Sequence, residues 1–256
     1  MSDETLRDVQ DYYDGKAGHL FAVEDRNWHL QSRMALNLDT IDRYAPRPAG
    51  RRPRVLDIGC GTGFLLNALA ERGYEGIGID LSPESAAIAQ QRLEEIGAAD
   101  RLEARVGSAY EPPDGPFDLI TLTDVLEHLE DPRACLKALR PRLAPGGLLV
   151  ISTPNRASLA GARRAVAERF PRLGITLSLA PVDNWQTWGD LESHAASAGF
   201  VAVSRGGIFF RPGGKVGSQI GRVYRIDAVR RGEMALSRTP VGRFGFYISL
   251  GFRPIG

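Results

Sequence analysis

The sequence has few of the residues that mark disulfide-stabilised, metal-binding or membrane-spanning proteins. Its two cysteines in 256 residues, Cys60 and Cys135, form neither a disulfide framework nor a metal-binding spacing. No apolar run reaches the ~18 residues of a membrane-spanning helix. The acidic start, 1–4, lacks the apolar segment of a signal peptide. A formal net charge of +1 carries no signature of nucleic-acid binding. These absences predict a cytoplasmic protein without a nucleic-acid partner.

Strand-like and helix-like patterns alternate through the middle of the chain. The composition, 43% hydrophobic and 25% charged, is sufficient for one large buried core. The predicted strands are Arg54–Ile58, Gly76–Asp80, Leu102–Val106, Phe117–Thr123, Leu148–Ser152, Phe200–Arg205 and a final one at 244–252. Helices are predicted at 64–72, 83–96 and 132–143. Repeated strand–helix units predict a parallel sheet covered by helices on both faces, with ligands bound beyond the carboxyl ends of the strands.

The most informative stretch is a glycine turn between the first strand and the first helix. An apolar strand at 55–58 is followed by Gly59, Gly61 and Gly63, and helical spacing begins at Phe64. Glycine permits positive φ angles and lets a ligand approach the backbone closely. The spacing departs from the G-x-G-x-x-G pattern of dinucleotide-binding proteins, and no Gly-Lys-Ser/Thr of a P-loop follows. The turn therefore predicts a ligand site of a different kind.

Residues 56–63, Leu-Asp-Ile-Gly-Cys-Gly-Thr-Gly, resemble motif I of the class I S-adenosylmethionine-dependent methyltransferases. In that family the glycine turn packs against the methionine part of the cofactor. The resemblance implies an α/β, Rossmann-like fold with a seven-stranded, mostly parallel sheet whose seventh strand is antiparallel. It also implies an N-terminal helical cap at 1–48 and a methyltransferase core at 49–256.

The resemblance implies a set of cofactor-binding residues. Asp80 would accept hydrogen bonds from the ribose hydroxyls, Leu81 would flank the adenine, and Asp57 would accept N–H groups of the glycine turn. Ser108 stands where many relatives carry an acid, and Arg33 is either a ligand of the cofactor carboxylate or a solvated helix residue. The full predicted set is Asp57, Gly59, Cys60, Gly61, Gly63, Asp80, Leu81, Ser108, Ala109, Thr123 and Arg33.

A second stretch, residues 123–132, resembles the segment after strand four in the ubiquinone-biosynthesis O-methyltransferases, and residues 151–156 support the same subgroup. Asp124, Glu127 and His128 stand at i, i+3 and i+4, so a helix here would place them on one face. Two carboxylates and an imidazole can bind Mg²⁺, with Asp183 where relatives carry a further histidine. In the alternative, no cation binds and His128 is the general base, since imidazoles titrate near neutral pH.

Two segments depart from the alternating pattern. Residues 157–185 form an insert after the fifth strand, and residues 206–243 are rich in glycine and arginine, with a predicted helix at 220–229. Within the insert, the stretch 157–180 is interpreted either as a lid over the substrate or as an interfacial helix that contacts a membrane surface. The basic segment is interpreted as a solvated surface or as an attractor of anions.

The expected function is methyl transfer from S-adenosylmethionine to a hydroxyl group of a small molecule. The alternatives are an N- or C-methyltransferase of a specialised metabolite and, with less support from the charge, an RNA ribose 2′-O-methyltransferase. A cofactor-binding regulator without catalysis would have lost the polar groups at 124, 127 and 128.

Overall fold

A computed structural model describes residues 7–15, 18, 28–174, 181–208 and 227–255. Most of the predicted helix at 220–229 lies outside these residues. Residues 175–180 of the predicted insert also lie outside them.

The core of the protein is one seven-stranded sheet with the order β3-β2-β1-β4-β5-β7-β6. The strands are β1 (Arg54–Ile58), β2 (Glu75–Asp80), β3 (Leu102–Val106), β4 (Phe117–Thr123), β5 (Leu143–Pro154), β6 (Phe200–Ile208) and β7 (Tyr247–Pro254). Strands β1 to β5 pair in parallel. Strand β7 inserts antiparallel between β5 and β6. The predicted fold class is confirmed.

Helices cover both faces of this sheet. They are α1 (residues 7–15), α2 (Trp28–Tyr44), α3 (Phe64–Glu71), α4 (Pro83–Glu95), α5 (Pro132–Leu139), α6 (Leu159–Arg169), α7 (Trp188–Ser197) and α8 (Asp227–Ser237). No helix among the described residues combines the length and apolar character needed to cross a bilayer.

Local sequence signals explain where several of these helices begin and end. Ser82 caps α4 by accepting the Ser85 N–H, with Pro83 in the first helical position. Helix α5 ends earlier than predicted, and a short 3-10 turn follows at Arg140–Arg142. Pro141 lacks the N–H that a continuing α-helix needs. Helix α8 overlaps the carboxyl end of the predicted helix at 220–229 and continues beyond it to Ser237.

Alternating strand residues divide the core into two layers. Leu56 and Ile58 face α5 and α7, whereas Val55 faces the layer that includes α3 and α4. Ile41 of α2 is fully buried in that second layer. Helix α2 therefore packs on the sheet like the core helices, and the division between a cap at 1–48 and a core at 49–256 stays a prediction.

Candidate functional site

A cavity of about 500 Å³ lies at the carboxyl ends of the parallel strands. Its volume is in the range of small-molecule sites. Residues of helices α1 and α2 also line it. The predicted residues that line it are Arg33, Gly59, Cys60, Gly61, Asp80, Leu81, Ser108, Ala109, Thr123, Asp124, Glu127, His128 and Asp183. Asp57 and Gly63 are not among the lining residues.

The three glycines of the turn serve different purposes. All have positive φ angles, 66° at Gly59, 53° at Gly61 and 83° at Gly63. A Cβ on Gly59 would lie 2.2 Å from Cγ2 of Val125, and one on Gly63 would lie 3.0 Å from Cβ of Ala89. A Cβ on Gly61 would meet no protein atom within 4 Å. Gly59 and Gly63 thus allow close packing, whereas Gly61 leaves cavity space open for a ligand.

Asp80 connects the glycine turn to the start of α4. Its Oδ2 accepts the Gly61 N–H at 2.8 Å, and its Oδ1 accepts the Ser82 N–H at 2.9 Å. Burial raises the pKa of Asp80, and these two backbone donors act in the opposite direction. A carboxylate oxygen can accept more than one hydrogen bond, so both oxygens retain acceptor capacity for ribose hydroxyls.

Asp57 makes a different contact from the predicted one. Its Oδ1 accepts a hydrogen bond from the Thr121 hydroxyl at 2.6 Å on the neighbouring strand. The N–H groups of Gly59 and Cys60 donate to the Ile79 carbonyl, and that of Gly61 donates to Asp80. The expected contact with the turn is therefore wrong, because Asp57 is fully buried inside the sheet layer below it. Burial raises the pKa of Asp57 to about 7.

The segment after β4 does not form the helix that would align Asp124, Glu127 and His128. Asp124 has a φ of 58°, and only Leu126–His128 form a short 3-10 turn. The Asp124 carboxylate forms an ion pair with Arg33, whose guanidinium also lies 4.3 Å above the Tyr247 ring. Arg33 thus lines the cavity, and its contact with the cofactor carboxylate stays a prediction.

His128 is held on both ring nitrogens. Its Nδ1 lies 2.6 Å from the Val182 carbonyl, and its Nε2 lies 2.6 Å from the Tyr13 hydroxyl. A carbonyl only accepts, so Nδ1 carries the proton, and in the neutral ring Nε2 accepts the Tyr13 O–H. Tyr13 is not among the predicted site residues, because its only signal in the sequence is its helical spacing on α1.

Glu127 is a buried carboxyl beside this histidine. Its side chain is 2% exposed, and Oε1 lies 4.0 Å from His128 Nε2. Oε2 has no hydrogen-bond partner among the described residues. Burial raises the pKa of Glu127, which favours its protonated form, while the neighbouring His128 acts in the opposite direction.

The predicted Mg²⁺ site does not form. Within the described residues, no group of three or more His, Cys, Asp or Glu side chains is arranged to hold a metal ion. Asp183, the fourth expected ligand, instead accepts from Arg164 at 2.8 Å and from the Trp185 indole N–H at 2.9 Å. Because Asp124 is neutralised by Arg33 and both His128 nitrogens are engaged, these donors do not fit a divalent cation.

A family model described as a methyltransferase domain matches residues 28–204. The chain therefore belongs to the methyltransferase-domain family. Its sheet order and glycine turn are those expected of the class I S-adenosylmethionine-dependent members.

The ubiquinone biosynthesis O-methyltransferase of Xanthomonas campestris pv. campestris is 42% identical over 144 residues, which cover 54% of this chain and 59% of that protein. The match thus spans less than two thirds of that relative. The protein of the same name from Xanthomonas euvesicatoria pv. vesicatoria is 34% identical over 182 residues, covering 68% of this chain and 75% of the relative.

Solved structures support the fold alone. A phosphoethanolamine N-methyltransferase 2 from Haemonchus contortus, in complex with S-adenosylhomocysteine, superposes with a TM-score of 0.65 at 18% identity. That match covers 98% of this chain and 60% of the other. A Haloferax volcanii complex of the Trm112 activator with a methyltransferase gives 0.62 at 20% identity, covering 97% and 98%.

Proposed function

We propose that this protein transfers the methyl group of S-adenosylmethionine to a hydroxyl of a small molecule. The observation that carries the proposal is the single cavity that brings the open face of Gly61, the Asp80 carboxylate and the His128 imidazole together. In this proposal Gly59, Gly61, Asp80 and Leu81 hold the cofactor. The name of the Xanthomonas relatives supports an oxygen acceptor.

Methyl transfer from a sulfonium is an in-line displacement that needs positioning of the acceptor and removal of its proton. The Val182 carbonyl fixes the tautomer of His128 that leaves Nε2 unprotonated. His128 is therefore the proposed general base. Because the donor set does not fit a divalent cation, no step is assigned to a metal. The mostly apolar residues around the site, among them Leu30, Met34 and Trp185, suit an apolar acceptor.

A nitrogen or carbon acceptor remains the alternative reaction, and an amine acceptor would depend less on a base at His128. An RNA acceptor has less support, since a net charge of +1 offers little general attraction for a phosphate backbone. Both alternatives use the same cofactor. Identifying the methylated atom of the acceptor separates oxygen transfer from nitrogen transfer.

We also propose that α6 and the 3-10 turn that follows it at Pro171–Leu173 can contact a membrane surface. Leu159, Phe170 and Leu173 are 74%, 53% and 61% exposed, and Arg169 and Arg172 are exposed beside them. Apolar and basic side chains together favour an interfacial position. Flotation with anionic vesicles is expected to recover the wild type and less of Phe170→Asp. Equal recovery of the two proteins would contradict membrane contact through this surface.

A cytoplasmic location stays a prediction.

The first test is calorimetric titration with S-adenosylhomocysteine. Asp80→Asn replaces one acceptor oxygen by an amide and is expected to weaken binding at least about 10-fold, about 1.4 kcal/mol. Asp100→Asn, at an exposed position away from the cavity, is the matched control and is expected to bind like the wild type. If the wild type does not bind S-adenosylhomocysteine, the proposal is refuted.

The second test identifies the acceptor atom. Radiolabelled S-adenosylmethionine is incubated with 3,4-dihydroxybenzoate, with a catechol that carries a farnesyl chain, and with phenethylamine as an amine probe. Label on a catechol oxygen supports the proposal. Label on phenethylamine alone overturns the oxygen acceptor and leaves the cofactor assignment standing.

A further inference from the structure

The one lone pair that His128 offers as a base is already occupied. Nδ1 donates to the Val182 carbonyl, so Nε2 accepts the O–H of Tyr13 at 2.6 Å. An acceptor hydroxyl can reach this nitrogen directly only if Tyr13 moves away. Otherwise the proton has to pass through the Tyr13 hydroxyl.

Several contacts hold Tyr13 in place. Val9, one turn earlier on α1, is 7% exposed. Asp14, the next residue, accepts a hydrogen bond from the Ser82 hydroxyl at the start of α4. The Tyr13 ring packs edge-on against His128, with the ring centroids 5.4 Å apart and the planes at 69°. Displacement of Tyr13 would disrupt these contacts, whereas proton passage through its hydroxyl disrupts none.

We propose that Tyr13 is a catalytic residue, whose phenol oxygen meets the acceptor hydroxyl and relays its proton to His128. This inference rests on the proposed function. Tyr13, Glu127 and His128 all line the cofactor cavity, and the phenol oxygen retains a lone pair while it donates to Nε2.

In the step itself, the acceptor O–H bond breaks and its proton moves to the Tyr13 oxygen, while the Tyr13 proton moves to His128 Nε2. The acceptor oxygen forms a bond to the methyl carbon as the carbon–sulfur bond breaks. The electron pair of that bond stays on sulfur, so neutral S-adenosylhomocysteine leaves. The positive charge of the sulfonium ends as an imidazolium, which later releases its proton to water.

The surroundings of Tyr13 favour a relay in which the phenol never becomes an anion. Burial, with a further contribution from Glu127, raises the pKa of Tyr13 well above its ordinary range. Because a phenolate is unfavourable here, the Tyr13 oxygen receives the acceptor's proton as it gives its own proton to His128 Nε2. The nearby Glu127, when ionised, stabilises the imidazolium that results.

The test compares Tyr13→Phe with Tyr44→Phe, which removes the same atom from a tyrosine outside the cofactor cavity. Methyl transfer to the farnesyl catechol is measured, with S-adenosylhomocysteine titrated by calorimetry. For Tyr13→Phe we expect kcat to fall about 100-fold, as for loss of a proton-transfer group. KM and cofactor affinity of Tyr13→Phe are expected to stay within about 3-fold of the wild-type values. The solvent isotope effect on kcat is expected to be smaller in Tyr13→Phe than in the wild type. Tyr44→Phe should match the wild type.

The outcomes separate this inference from the proposed function. An unchanged or faster kcat in Tyr13→Phe overturns the relay and identifies Tyr13 as a group that the acceptor displaces. Loss of S-adenosylhomocysteine binding, or a slower rate with an unchanged solvent isotope effect, overturns it in favour of a structural role. The ¹⁵N signal of His128 Nε2 must also shift in Tyr13→Phe, and no shift refutes the contact itself. Wild type that binds cofactor but methylates no probe refutes the proposed function instead.

Discussion

Gly61→Ala tests whether the open face of the glycine turn is the place of the cofactor. Gly61 lines the cavity and has a φ of 53°, and an added Cβ meets no protein atom within 4 Å. The alanine methyl therefore has room in the protein alone. We expect it to occupy space that the bound cofactor needs.

The substitution has two separate consequences. An L-residue in the left-handed region costs about 1–2 kcal/mol, so the free energy of unfolding should fall by that amount. Without a clash, no larger loss is expected. A methyl group that projects at a close-packed ligand should weaken S-adenosylhomocysteine binding at least about 10-fold, about 1.4 kcal/mol.

Gly97→Ala is the matched control. Gly97 follows α4, has a φ of 65°, and likewise offers a new Cβ open space, but it is outside the cavity. Urea unfolding should give similar losses of stability for the two variants. Calorimetry should show weaker S-adenosylhomocysteine binding for Gly61→Ala alone.

Two results would refute this reasoning. Wild-type affinity in Gly61→Ala would mean that the cofactor does not approach the turn at this residue. Equally weakened binding in both variants would mean that backbone strain, transmitted through the fold, explains the loss.

Three further predictions concern other parts of the molecule. Burial raises the pKa of Asp57 from its ordinary 3.8 to about 7, so the folded state retains a proton that the unfolded chain releases, and stability should fall as pH rises through this window. At about 1.4 kcal/mol per pH unit the loss is about 4 kcal/mol over the whole window, of which about 3 kcal/mol falls between pH 5 and 8. Asp57→Asn should remove this loss in denaturation measured at pH 5 and 8, and parallel pH dependences of the two proteins would contradict this. Asn155→Ala should lower the free energy of unfolding by about 2–4 kcal/mol, because Nδ2 donates to the Arg243 and Gly245 carbonyls at 2.9 and 2.7 Å. Thermal unfolding measures this loss of stability, with Asn184→Ala at an exposed position as the control. Equal losses of stability in the two variants would argue against the prediction. EDTA should leave methyl transfer to the farnesyl catechol unchanged, whereas a loss reversed by Mg²⁺ would restore the metal hypothesis.

Much of the fold could be predicted because its signals are local. The bounds of β1, β3 and β4 agree with the prediction to the residue. Hydrophobic runs of strand length, bounded by glycine or proline, depend only on neighbours along the chain. The Ser82 cap depends on three residues that follow it. Strand β5 was predicted too short, because its ends are extended by pairing with distant partners such as Tyr247.

For the candidate site, too, the local part could be predicted from the sequence and the long-range part could not. The sequence by itself determined which residues lie at the carboxyl ends of the strands, since in a parallel sheet the residue after each strand meets the others on one edge. Gly59, Asp80 and His128 all reach the cavity for that reason. Even the wrong metal prediction selected residues that line it.

Only the tertiary structure decided what those side chains contact. Tyr13 and His128 are 115 residues apart, and their hydrogen bond depends on how α1 packs over the sheet edge. The pairing of Asp183 with Arg164 depends likewise on α6. Spacing along the chain specifies which groups can share a cavity. Their partners depend on distances of a few ångströms between separate elements, and these arise from packing of the whole chain.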